Sequence, residues 1–224
     1  MKIYRIAVLA LGITLSAGAF GAKTQELPKV TEDGLELVPD GKLAIVYVQP
    51  GATLEAYDEV MMLEAYVAFR KNWERDQRTR SAQPLRVTSR DVENIKKSLS
   101  QEFDAVFTKT LEEGGYKIAT EAAENVLLIR PAIINLDVNA PDTPTAGMSH
   151  SFTSSAGEMT LYIELYDSVT GDILAKAMDR KADRGYGGFY TWTNSVTNKV
   201  AAERILKGWA TILKEALDEA HPNH

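Results

Sequence analysis

Residues 157–181 read GEMTLYIELYDSVTGDILAKAMDRK, and this stretch decides the fold. Met159, Leu161, Ile163 and Leu165 alternate with Thr160, Tyr162, Glu164 and Tyr166. An extended strand therefore carries an apolar row on one face and a more polar row on the other. Residues 167–172, DSVTGD, supply a turn: short side-chain oxygens that bond their own backbone, and a glycine free to take positive φ. Ile173, Ala175 and Ala177 resume the alternation on the return. A lone hairpin is barely stable in water, so its apolar row predicts further strands beside it and helices against it.

Both are written into the flanking sequence. Residues 126–138, VLLIRPAIINLDV, predict a long strand with Leu128, Ala132, Ile134, Leu136 and Val138 on one face. Pro131 cannot donate to a ladder, which predicts a bulge there or a missing neighbour on that side. Residues 42–48, KLAIVYV, predict a short strand ended by Gln49-Pro50-Gly51, and residues 116–120 predict another. Residues 57–69, YDEVMMLEAYVAF, fit two templates: a helix with Val60, Leu63 and Val67 on one side, or an alternating strand.

Residues 88–115 give the firmest helix. Thr88 or Ser89 caps it, Asp91 and Glu93 sit at the positive end of its dipole, and Gly114-Gly115 closes it. Val92, Ile95, Leu99, Phe103, Val106 and Leu111 form its apolar stripe. A last helix over 195–220 presents Val196, Val200, Ile205, Leu206, Trp209, Ile212, Leu213, Ala216 and Leu217. Residues 70–84 are strongly charged and read as a solvated loop, with Trp73 folded back on the core.

The chain has 224 residues, 45% of them hydrophobic, enough for one domain with a substantial core. Residues 1–22 combine a basic start, an apolar run and small residues, the layout of a secretory signal peptide. Residues 23–40, broken by Pro28, Gly34 and Pro39, predict a flexible lead-in; 41–220 form the single domain and 221–224 a tail. The absence of cysteine excludes disulfides, thiolate chemistry and a lipidated N-terminal cysteine. Net charge is −6, which argues against nucleic acid or anionic lipid as the main partner, since both want a basic face.

Catalytic arrangements are scarce. His150 lies in the loop 139–156, and a Ser-His-Asp reading through Ser149 or Ser151 has no strained turn to present the serine. Metal-ligand spacing and a phosphate loop are missing, so neither metal nor cofactor is expected. Asp179 and Asp183 form a carboxylate pair of the kind glycoside hydrolysis uses, but Arg180, Lys181 and Arg184 beside them favour a solvated ion-pair cluster. Residues 182–195 interleave three glycines with Tyr186, Phe189, Tyr190 and Trp192, an aromatic loop able to receive a partner.

Taken in order, PGATLEAYDEVMMLEAYVAFRKNW (50–73), the helix ending in Gly-Gly-Tyr, LLIRPAIINL and the Asp-x-x-Thr-Gly turn at 167–171 resemble a bacterial envelope family, domain of unknown function 3313. The resemblance covers roughly 38–217. It implies a strand rather than a helix over 57–69, no assigned activity and no catalytic residues to carry over. Many members carry a lipidated cysteine after the signal, and this chain has none. The element order is also similar, at fold level only, to small α+β domains of outer-membrane assembly and transport accessory proteins.

The expectation is an α+β domain: an antiparallel or mixed sheet of about five strands, with two long helices (91–113 and 195–219) packed on one face in β-β-α-β-β-β-α order. The expected function is that of an exported, non-enzymatic envelope protein that binds a protein or envelope component. The rivals are a hydrolase using Asp179, Asp183 or the 149–151 cluster, and a binder of a small apolar ligand.

Overall fold

The computed structural model describes residues 27–80, 87–138, 151–153, 157–183, 191–193 and 195–222. Its centre is the hairpin of β8 (Gly157–Asp167) and β9 (Ile173–Asp183). The turn closes as its residues dictate: Asp167 Oδ1 accepts from the backbone N–H of Val169 at 2.8 Å and of Thr170 at 2.7 Å, and Gly171 takes φ +75°. β6 (Val126–Val138) pairs antiparallel with β8 along ten register positions, and β2 (Ile45–Val48) pairs antiparallel with β9.

On the far side of β6, β3 (Glu59–Met62) and β4 (Tyr66–Phe69) pair parallel to it in succession. The extended reading of 57–69 is therefore the right one, interrupted at 63–65. There Ser100 Oγ donates to the Ala65 carbonyl at 3.0 Å. Arg130 and Pro131 fall between the register of β3, which ends opposite Ile129, and that of β4, which starts opposite Ala132. Proline thus sits where its strand lacks a neighbour on that side.

Instead of about five strands, the main sheet has eight among the described residues, in the order β1-β2-β9-β8-β6-β3-β5, with β4 also on β6. The additions are the split of 57–69 and two two-residue strands, β1 (Glu36–Leu37) and β5 (Lys117–Ile118); so short a strand shows no alternation of its own. A separate two-stranded sheet pairs β7 (Ser151–Thr153) with β10 (Thr191–Thr193). Residues 27–40 were expected as a loose lead-in, yet they supply β1 and bury Leu35 completely.

Three helices are described, one more than expected. α1 (Trp73–Arg80) occupies the stretch read as a loop; it buries only Trp73 and Gln77, too few to mark an apolar stripe. Trp73 does fold back, stacking on Phe69 with ring centres 4.0 Å apart. α2 (Ser89–Glu113) starts in a capping box: Thr88 Oγ1 accepts from Asp91 N at 3.2 Å, while Asp91 Oδ2 accepts from Thr88 N at 2.9 Å. It ends with Gly115 at φ +91°.

α2 and α3 (Ser195–Ala220) both lie on one face of the sheet, as expected. Phe103 and Phe107 of α2 and Leu206, Trp209, Ala210 and Leu213 of α3 share one core with Ile129, Ile133, Leu161 and Ile163. Val200, expected on the apolar face of α3, is 49% exposed; Ala201 is buried instead.

The face assignment along β6 is also corrected. Leu127, Ile129 and Ile133 are fully buried, so the core row is one residue out of step with Leu128, Ala132 and Ile134. At Asn135 (φ +52°) the ladder slips between Ile134 and Asp137, which reverses the parity and turns Leu136 and Val138 inward.

Candidate functional site

Three strand ends meet at one edge of the molecule. Gly157 stands opposite Val138 on one side and Asp183 on the other. From this frame the two connections singled out in the sequence depart, 139–156 and 184–194. Their described parts pair with each other: Trp192 stands opposite Phe152, Thr191 opposite Thr153 and Thr193 opposite Ser151. Tyr186, Phe189 and Tyr190, together with Ser149, His150 and the signal segment 1–22, lie outside the described residues.

The frame is rigidly held. The Val138 carbonyl accepts from Trp73 Nε1 at 3.1 Å and Gln77 Nε2 at 2.9 Å, so α1 clamps the last residue of β6. Arg70 joins the same corner, donating through Nε to Asp137 and through Nη1 to Asp76, both at 2.6 Å. Gly157 admits no side chain: a Cβ there would lie 2.1 Å from the Asp137 carbonyl oxygen. The second link between sequence and site is therefore α1, whose anchoring role no local pattern announced.

The carboxylate pair does not behave as acid and base. Asp179 faces inward beneath α3, 4% exposed. Its Oδ2 accepts from Trp209 Nε1 at 2.7 Å and lies 3.1 Å from Lys181 Nζ, and its Oδ1 accepts from Ala44 N at 3.2 Å. This carboxylate joins α3, β9 and the approach to β2 instead of facing solvent. Asp183, four positions along, stands at the strand end opposite Gly157.

A constellation not singled out from the sequence lies on the other face of the sheet. Glu164, 5% exposed, sits between Tyr162 and Tyr166 on β8. Tyr162 Oη donates to its Oε1 at 2.6 Å and Tyr166 Oη to its Oε2 at 2.8 Å. Arg130 Nε lies 3.3 Å away on one neighbouring strand and Lys176 Nζ 3.9 Å away on the other. Burial, reinforced by the bond to Glu164, pushes the Tyr166 phenol up to about 12 and raises Tyr162 as well. Both phenols stay protonated at neutral pH, so neither offers a tyrosinate nucleophile. The sequence signal was present in the polar row of the hairpin, but only the register Tyr47–Lys176–Glu164–Arg130 makes it a cluster.

Among the described residues, no group of three or more histidine or carboxylate side chains is placed to hold a metal ion, and no helix is long and apolar enough to cross a membrane.

No curated protein matches the chain in sequence. Several solved structures share its layout at low identity. A neuraminyllactose-binding hemagglutinin homolog of Helicobacter pylori is 10% identical over 77% of this chain and 89% of its own, with a TM-score of 0.39. The PelC dodecamer of Paraburkholderia phytofirmans is 16% identical over 73% and 96%, with a TM-score of 0.35. A DUF4136 family protein of Bacteroides thetaiotaomicron is 11% identical over 75% and 94%, also at 0.35. The family model described as "Protein of unknown function (DUF3313)" matches residues 31–213, and the chain belongs to that family.

Proposed function

We propose that this chain is an exported, non-catalytic protein of the bacterial envelope that works in the periplasm by gripping a protein or another envelope component. The observation that carries this reading is the pairing of β7 with β10, which joins the two connections of unusual composition above one rigid frame. Binding residues concentrate on loops held by a stiff scaffold, because the scaffold removes the entropy that a free loop must lose on contact. Aromatic side chains such as Tyr186, Phe189, Tyr190 and Trp192 bring large contact area for few rotatable bonds, which suits them to such a grip. The placement of Asp179 within the core supports a binding role over hydrolysis, because a carboxylate spent on Trp209 and Ala44 is not free for a substrate. Export without a lipid anchor follows from the signal-like segment 1–22 and the absence of cysteine.

The test is capture from envelope extract with wild-type protein and with a Tyr186→Ala, Tyr190→Ala, Trp192→Ala variant. Loss of the captured component by a folded variant is expected; undiminished capture would overturn the assignment to this loop. Turnover of peptidoglycan or of an ester panel that disappears in Asp183→Asn would overturn the non-catalytic reading.

A further inference from the structure

No described helix covers the sheet face that carries Glu164. A sheet face left to water is normally polar along its whole alternating row. Here the rows on either side of the charged one are not: Met178, Tyr162, Ala132 and Tyr66 lie side by side in register across four strands, and Leu128 and Met61 adjoin Tyr166 on the other side. Tyr66 is 66% exposed at the edge of this surface.

The polar groups within the face are satisfied by one another. The phenols of Tyr162 and Tyr166 spend their hydrogens on Glu164, Lys176 pairs with Asp33, and Arg180 pairs with Glu158 at 2.5 Å. A small polar ligand such as a sugar needs donors and acceptors aimed outward, whereas this face aims them sideways. Groups already paired in the plane lose little when a flat apolar surface covers them. Across five strands and nine residues of β8, the face measures roughly 24 by 30 Å from strand geometry, or about 700 Å². A stable interface buries about 800 Å² on each partner, so one sheet face of this size suffices.

We infer that this face is a self-association surface, on which a second copy of the chain packs sheet against sheet. Two sheets of the same twist stack in near alignment with their side chains interdigitated, and an isologous contact needs only one patch that complements itself. The near-balance of charge along the face, Arg130, Lys176 and Arg180 against Glu164, Glu158 and Asp33, permits such a contact, since each copy meets a surface without net charge. The inference is independent of the loop-end reading, because the two surfaces are different.

Sedimentation of the exported chain, purified whole from the periplasm, at high micromolar concentration is expected to give twice the monomer mass. Tyr66→Glu is expected to weaken the dimer at least tenfold with an unchanged far-UV spectrum, whereas Val200→Glu, on exposed α3, leaves it intact. The natural chain has no cysteine, so single replacements report geometry directly. Arg130→Cys should crosslink to its own copy through a short bis-maleimide, and Val200→Cys should not. A monomer at every concentration overturns the inference. So does a dimer that crosslinks through position 200 and not 130, or a chain that is monomeric alone and crosslinks through position 130 only to a different envelope component.

Discussion

Trp209 and Asp179 show how one contact assigns a role that spacing cannot. In the sequence Asp179 belongs with Asp183, four positions away; in the fold it belongs with Trp209, 30 positions away, whose indole N–H meets its carboxylate at 2.7 Å. Trp209→Phe keeps most of the ring volume but strands a buried carboxylate without that donor. We expect a loss of about 2–3 kcal/mol, the range for hydrogen bonds to charged groups, measured by urea unfolding. The opposite sign is expected at Gly208, on the exposed side of α3. A Cβ there meets nothing within 4 Å, and glycine in a helix interior costs conformational entropy. Gly208→Ala should stabilise the protein by about 0.5–1 kcal/mol, read in the same assay.

The hairpin and α2 were legible because each is specified by neighbours in the chain: the Asp167 turn and the Thr88–Asp91 box close within three residues. The turn also carries a pH signature. Asp167 sits below the ordinary carboxylate range because its charge accepts the Thr170 backbone N–H, then the Tyr57 hydroxyl at 3.0 Å and the Val169 N–H. The fold thus favours the ionised form, whose stabilisation is fully present above the unfolded value near 4 and is lost as pH falls through the lower folded one. Asp167→Asn should be less stable than wild type at pH 7, the two melting temperatures converging below about pH 3. β6 was legible as a strand but not in its facing. The left-handed Asn135 resets the parity halfway along, and a bulge of one residue leaves no trace in a pattern that is apolar on both faces.

For the molecule as a whole, the unexpected result is that the domain begins well before residue 41. Leu35 is fully buried, Tyr47 Oη donates to the Pro28 carbonyl at 2.9 Å, and Lys176 pairs with Asp33. Leu35→Ala should cost about 3 kcal/mol in urea unfolding, and a chain begun at Gly41 should lose at least as much; a loose lead-in would cost nothing. The amino-acid order alone determined the class of fold, the hairpin at its centre and both long helices, because turns, caps and periodic apolar stripes are local and repeat within a few residues. Only the tertiary structure decided the eight-stranded order, the inward turn of Asp179, the meeting of β7 with β10 and the Tyr162–Glu164–Tyr166 cluster bridged by Arg130 and Lys176. Each of these needs residues tens of positions apart to share a register, and register is set by how the whole sheet buries one of its faces.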